Sequence, residues 1–407
     1  MPHFKSIFIL IPLIFLVLFS CSREENYDDE ADRLAQEFII VDGHVDLPYR
    51  LNNNPEDVSG TTSDGDFDYD RAKEGGLNAP FMSIYIPARY QKTDFAMNVA
   101  DSLINLVRQL ETDHPEKFAI ATSPQEIEAQ FKQDLISLPM GLENGAPIAN
   151  DLKNVQRLYD KGIRYITLTH SKDNQISDSS YDTSGTHGGL SSFGEEVVKK
   201  MNQTGIIVDI SHVSDSAFFD VMKITEAPVI ASHSSARFYT PGFERNMSDS
   251  MITMLAENNG VMMINFGSDF ISDSSRTNSD SLDAHISRWL DENNLERSDA
   301  EAQEYIEEYE SQNYRYATLD EVVDHFEHVI NLTGINHVGI GSDFDGVGDT
   351  LPVGLKDVSM YSNLIQELLD RGYTKDDIGK ITHRNIFRVW NEVTETAQRL
   401  SNKDAME

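Results

Sequence analysis

Eight times along the chain a short apolar run rich in β-formers gives way to a longer stretch of helical period, and this alternation limits the fold more than any single motif does. The runs fall at residues 38–41, 81–86, 135–140, 163–168, 205–210, 228–231, 261–266 and 337–340. Most are continuously apolar instead of alternating, as parallel strands are when helices cover both faces. Between them, residues 193–204 place Val197, Val198 and Met201 on one helical face, and residues 319–332 do the same with Val322, Val323, Phe326, Val329 and Ile330. Each of these stretches stops at a glycine, Gly205 and Gly334. No glycine-rich phosphate fingerprint follows any run, so a (β/α)8 TIM barrel of the α/β class is expected and a Rossmann sheet is not. A chain of 407 residues has room for one such barrel with appendages.

Charge and cysteine content narrow the function. The formal net charge is −35, which repels polyanions and argues against nucleic acid and against adhesion to anionic lipid through basic residues. The single cysteine, Cys21, excludes an internal disulfide and a thiolate-rich metal site, leaving histidine and carboxylates as metal donors. Residues 1–20 read as a signal peptide, with Lys5 ahead of an apolar run that is too short to span a bilayer comfortably. Leu18-Phe19-Ser20-Cys21 resembles a bacterial lipobox, in which the cysteine is lipidated; an ordinary cleaved signal is the alternative. Residues 21–36 are expected to be an acidic tether, residues 37–396 the catalytic barrel, and residues 397–407 a polar tail.

In such barrels chemistry sits where strands end. The first run ends in Asp42-Gly43-His44-Val45-Asp46, placing His44 and Asp46 on one side of an extended strand, as two ligands of one cation must be. The third ends at Glu143, the fourth at His170, the fifth at His212, the sixth at His233 and the eighth at Asp343 and Asp345. A lone strand-end histidine is usually structural, whereas three on consecutive strands beside a His-x-Asp pair call for a cation. Imidazole and carboxylate together suit zinc, and two such ions could share a hydroxide at neutral pH without any protein nucleophile. His325 and His328 lie one helical turn apart, but on an outer amphipathic helix where a solvated surface position is expected.

Taken in order, these motifs resemble the membrane dipeptidase (renal dipeptidase) family of metallopeptidases. The resemblance runs from about Phe38 to Trp390 through Asp42-Gly43-His44-Val45-Asp46-Leu47-Pro48, Gly141-Leu142-Glu143, Leu168-Thr169-His170, Val208-Asp209-Ile210-Ser211-His212, Ser232-His233-Ser234-Ser235-Ala236-Arg237, Arg245-Asn246 and Gly341-Ser342-Asp343-Phe344-Asp345-Gly346. It implies an amidohydrolase-type barrel that hydrolyses dipeptides at a binuclear zinc site. By matching position, it implies that His44, Asp46 and Glu143 hold one metal and Glu143, His212 and His233 the other, with Glu143 bridging. It further implies that His170 faces the scissile carbonyl, Arg245 takes the substrate carboxylate and Asp343 handles the proton. Members of the family often pair as homodimers. The chain departs from the family pattern at Val45, Asn144 and Arg384, none of which is a ligand.

The expected activity is that of a zinc-dependent dipeptidase acting through a metal-bridging hydroxide, lipid-anchored through Cys21 in the cell envelope, on the periplasmic face or the surface of a Gram-negative bacterium. Another amidohydrolase activity, on a β-lactam, an N-acyl amino acid or a lactone, is the alternative within hydrolases. A surface lipoprotein that binds without turnover is the alternative outside them. Long elaborations are expected after the fourth strand, at residues 171–188, and after the seventh, at the acidic residues 268–312.

Overall fold

A computed structural model describes residues 27–404 apart from Asp94. The proposed leader and Cys21 therefore lie outside the described residues. Among the described residues, no helix is long and apolar enough to cross a membrane. In chain order the strands are β1 (Ile40–Val45), β2 (Leu77–Tyr85), β3 (Phe118–Ile120), β4 (Ile136–Leu138), β5 (Met140–Glu143), β6 (Ile163–Thr167), β7 (Ile207–Asp209), β8 (Ile230–Ser234), β9 (Val261–Ile264) and β10 (Val338–Ile340). Eight of them close a barrel in the order β1-β10-β9-β8-β7-β6-β5-β2, every ladder parallel. This is the expected (β/α)8 architecture.

The third apolar run is two strands and not one. Its middle, β4, pairs with β3 in a small side sheet, and only Met140 onward enters the barrel. Pro139 separates them; it has no N–H for a ladder and gives only its carbonyl, to the N–H of Met82. The helices follow their caps. Ser191 accepts from the N–H of Gly194 to start the helix Ser192–Thr204, which ends at left-handed Gly205. Thr318 and Glu321 form a reciprocal capping box at the start of Leu319–Thr333.

Inside the barrel Val41, Phe81, Tyr165, Ile230 and Met263 are buried, and the final helix, Asn385–Asp404, plugs the bottom with Trp390 against Phe81 at 5.3 Å. That helix runs through most of the expected polar tail and buries Leu400. The expected tether also changes: Tyr27–Glu37 is a helix, and Ala31, Leu34 and Ala35, at helical spacing, are buried in the main core. After β9 the chain forms the helices Ser268–Ile271, Asp273–Asn293 and Ala300–Asn313. The last two share a small core of Ile286, Leu290 and Ala302, with Trp289 stacked on Tyr305 at 3.9 Å.

Candidate metal centre

The strand ends bring the histidines and carboxylates to one point. His44 lies in β1 and Asp46 follows it, Glu143 ends β5, and His233 lies within β8, while His170, His212 and Asp343 sit three residues beyond β6, β7 and β10. Register aligns these ends, since Glu143 pairs with Thr167 and Thr167 with Asp209. Glu143 is the hub, 3% exposed, and its two oxygens face different partners. Oε2 lies 3.5 Å from His44 Nε2, which is itself 3.6 Å from Asp46 Oδ2. Oε1 lies 3.1 Å from His212 Nε2, 3.4 Å from His233 Nε2 and 3.5 Å from His170 Nε2.

This donor set fits divalent cations. His44 Nε2 and Asp46 Oδ1 are buried without a hydrogen-bond partner, an arrangement that costs free energy unless something electropositive lies between them. The Nε2 atoms of His212 and His233 approach to 2.8 Å while both face the same carboxylate oxygen. The trios His44–Asp46–Glu143 and Glu143–His212–His233 each gather within 4.8 Å and share Glu143. A third trio, His44–His233–Asp343, gathers equally closely and was not expected from the sequence.

The local field supports that reading. Burial pushes the Glu143 carboxyl up, but His170, His44, His212 and His233 hold it well below the usual carboxylate range. Burial alone would lower His44; Tyr165, Glu143 and Asp46 hold it well above the ordinary imidazole value, so the carboxylates draw positive charge to this spot. His212 and His233 stay well below it, through burial together with Arg245 and His44 respectively. His170 is lowered as well, by burial and by Arg245 against the pull of Glu143. Burial raises Asp343 to about 7, with Asp46 and Glu143 adding to the rise and His44 opposing it.

A cavity of about 700 Å³ opens above Glu143, His170, His212 and Asp343. Tyr49 and Tyr85 form one wall; Ser171, Lys172 and Tyr181 come from the long loop after β6, and Asp269 and Phe270 from the insertion after β9. Both elaborations therefore reach the mouth. Arg245 stands behind it, 3% exposed, with Nη2 3.1 Å from His212 Nε2 and its guanidinium 5.3 Å from the Phe270 ring centre. Among the described residues no carboxylate pairs with Arg245. Its Nε has no partner at all.

The remaining expectations resolve individually. Asn144 takes a left-handed φ of 78°, where asparagine serves nearly as well as glycine. Its side chain holds Ile86 O and Gln91 Oε1. Val45 is buried, and Arg384 pairs with Asp376. His325 is not a solvated surface residue; it is fully buried, joining the N–H of Ala236 to the carbonyl of Ile271. His328 pairs with Asp249, so the two form no metal pair. Asn265, missed in the sequence, donates from Nδ2 to Asp343 Oδ2 at 2.8 Å. It is the one polar residue in the run 261–266 and directly follows β9, and that signal could have found it.

Comparison with known proteins agrees with this geometry. Residues 28–404 match the model of a family described as membrane dipeptidase, peptidase family M19. The fold is similar to that of the probable dipeptidase PvdM from Pseudomonas aeruginosa, 25% identical, with a TM-score of 0.80 over 91% of this chain and 99% of that one. It is also similar to a metallo peptidase from Rhodobacter sphaeroides liganded with a phosphinate mimic of the dipeptide L-Ala-D-Ala, at 23% identity and a TM-score of 0.72, covering 88% of this chain and 99% of that one. An amidohydrolase from Pseudomonas aeruginosa shares the fold at 19% identity and a TM-score of 0.69, over 89% and 98% of the two chains.

Proposed function

The chain belongs to the membrane dipeptidase family of metallopeptidases, and from that premise we propose that it is a zinc-dependent dipeptidase with two cations, held by His44, Asp46 and Glu143 and by Glu143, His212 and His233. The observation that carries this reading is the divided carboxylate of Glu143, one oxygen toward each set of donors. Imidazole and carboxylate donors favour zinc among the available divalent ions. When bound, such cations activate water at neutral pH and polarise a carbonyl, which suits amide hydrolysis without a serine or cysteine.

The chain's own residues supply the rest. His170, held neutral, can present its ring to the carbonyl oxygen from the rim of the cavity. Asp343, raised to about 7, is suited to take a proton and return it to the leaving amine, while Asn265 holds its other oxygen in place. Arg245 is a buried positive charge with no carboxylate of its own, so the C-terminal carboxylate of a dipeptide is the counter-charge it lacks. We further propose that Cys21 carries the lipid anchor, tethering the enzyme in the cell envelope with the barrel in water.

The test is a substrate panel: dipeptides, the same dipeptides as C-terminal amides, an N-acyl amino acid, a β-lactam and a lactone, each with and without chelator. Dipeptides should give the highest kcat/KM, and chelator should abolish it. Faster turnover of the β-lactam, the N-acyl amino acid or the lactone would overturn the assignment, as would turnover of nothing.

A further inference from the structure

Metal-facing nitrogens are only half of an imidazole, and in two of the three histidines the other half is tied to a hydroxyl that is itself tied onward. His44 Nδ1 lies 2.7 Å from the hydroxyl of Tyr165, and that hydroxyl lies 3.1 Å from the carbonyl oxygen of Gly43. A carbonyl can only accept, so the Tyr165 proton goes to Gly43 and Nδ1 must bring its own proton to the phenol oxygen. In the neutral, cation-binding ring that tautomer leaves the lone pair on Nε2, the atom facing Asp46 and Glu143. His233 repeats the arrangement with different parts. Its Nδ1 lies 2.7 Å from Ser232 Oγ, which donates at 2.6 Å to Asp209 Oδ2. The Asp209 carboxylate also receives Thr167 Oγ1 at 2.5 Å, Ser232 N–H at 2.9 Å and Ser211 N–H at 3.1 Å, so its place is fixed from three strand ends. His212 has no such chain, its Nδ1 being buried without a partner.

The parts are fully buried and built in. Tyr165, Asp209 and Ser232 are each 0% exposed. The Tyr165 ring lies over Gly141, where a Cβ would fall 1.9 Å from its Cζ, so β5 leaves the space that lets the ring reach His44.

We propose that Tyr165 and the Ser232–Asp209 pair are positioning residues that act separately on the two cation positions. Tyr165 sets the tautomer and aim of His44, and hence the affinity of the position His44 shares with Asp46. Ser232, oriented by Asp209, does the same for His233 and the position it shares with His212. This rests on the two-cation reading above, and a partner of this kind typically contributes 10- to 100-fold in metal affinity.

The experiment is a titration of metal-free protein with zinc against a chromophoric chelator, and with cobalt(II) followed by its visible absorption, giving two stepwise affinities. Tyr165→Phe, which keeps the ring and its packing, should weaken one step by about 10- to 100-fold and spare the other. Ser232→Ala and Asp209→Asn should weaken the opposite step, and Ser232→Thr, which keeps the hydroxyl, should restore it. In an Asp46→Ala background Tyr165→Phe should have no further effect, whereas Ser232→Ala should still act. Two unaltered steps in the variants, or an equal loss in both steps whatever the melting temperature, would overturn the assignment while leaving the two-cation reading intact. Wild-type protein that binds fewer than two equivalents would refute that reading and this assignment with it.

Discussion

Replacing Arg245 with methionine separates charge recognition from scaffolding. The guanidinium is 3% exposed and donates to Ser234 Oγ at 2.6 Å and to the His233 carbonyl at 2.7 Å, so it has structural partners as well as a charge to offer. A unit charge about 4 Å from an opposite charge interacts by about 4 kcal/mol at an effective dielectric constant near 20. Truncating one member of such a buried pair typically costs about 2–5 kcal/mol. At about 1.4 kcal/mol per tenfold, a loss of about 3 kcal/mol is on the order of 100-fold in kcat/KM. The assay compares Arg245→Met with the parent on a dipeptide and on the same dipeptide as its C-terminal amide. Arg245 also lowers His212 and His170, and its removal disturbs Ser234, but these effects act on both substrates alike and cancel in the ratio. The dipeptide should lose about 100-fold more than the amide. Equal losses would refute the reasoning, leaving Arg245 as a strut behind His212.

Gly346 lies against the site: a Cβ there would stand 2.3 Å from Asp46 Oδ2 and 2.4 Å from Asp343 Oδ1. Gly346→Ala should displace both carboxylates and lower kcat/KM by about 100-fold or more, with little change in melting temperature because Gly346 is exposed on the rim; full activity in the variant would show that the carboxylates can move aside. Asp345 is raised to about 7, chiefly by burial and by Asp66 against Arg50. Its folded value exceeds its unfolded one, so wild-type stability should fall as pH rises from about 4 to about 7 and stay reduced above that. Asp345→Asn, which does not titrate, should melt several degrees higher than wild type at pH 8 and alike at pH 4; a pH-independent difference in thermal melts would contradict this.

Much of this was legible in the sequence because a barrel repeats one local signal. An apolar run ending in a polar residue gave seven of the strands and all the proposed metal donors, since parallel strands must be apolar on both faces and polar only where they leave the barrel. The third run misled because a mostly apolar stretch hides a break between two strands, and Pro139 was the cue to it. The helix Tyr27–Glu37 was hidden by its charge: Ala31, Leu34 and Ala35 have helical spacing, but the acidic residues around them read as solvated spacer. His325 has the pattern of an outer helix, and it becomes a core residue only because the segment after β8, with Ala236 and Tyr239, and the insertion, with Ile271, both pack over it. Tyr165, Asp209 and Ser232 could not be assigned from spacing. Each is one of several polar groups in or at the end of a short strand, and it gains meaning only when the register of β6, β7 and β8 places it beneath a histidine.

Removal and return of metal test the central claim most directly. Purified enzyme should lose dipeptide hydrolysis after exhaustive chelation, remain folded by circular dichroism, and regain full rate on addition of two equivalents of zinc. In Glu143→Gln the same addition should restore less than a hundredth of that rate, because the carboxylate that both donor sets share is gone. Hydrolysis that survives chelation, or a Glu143→Gln enzyme that recovers the wild-type rate, would contradict a dinuclear centre built on Glu143.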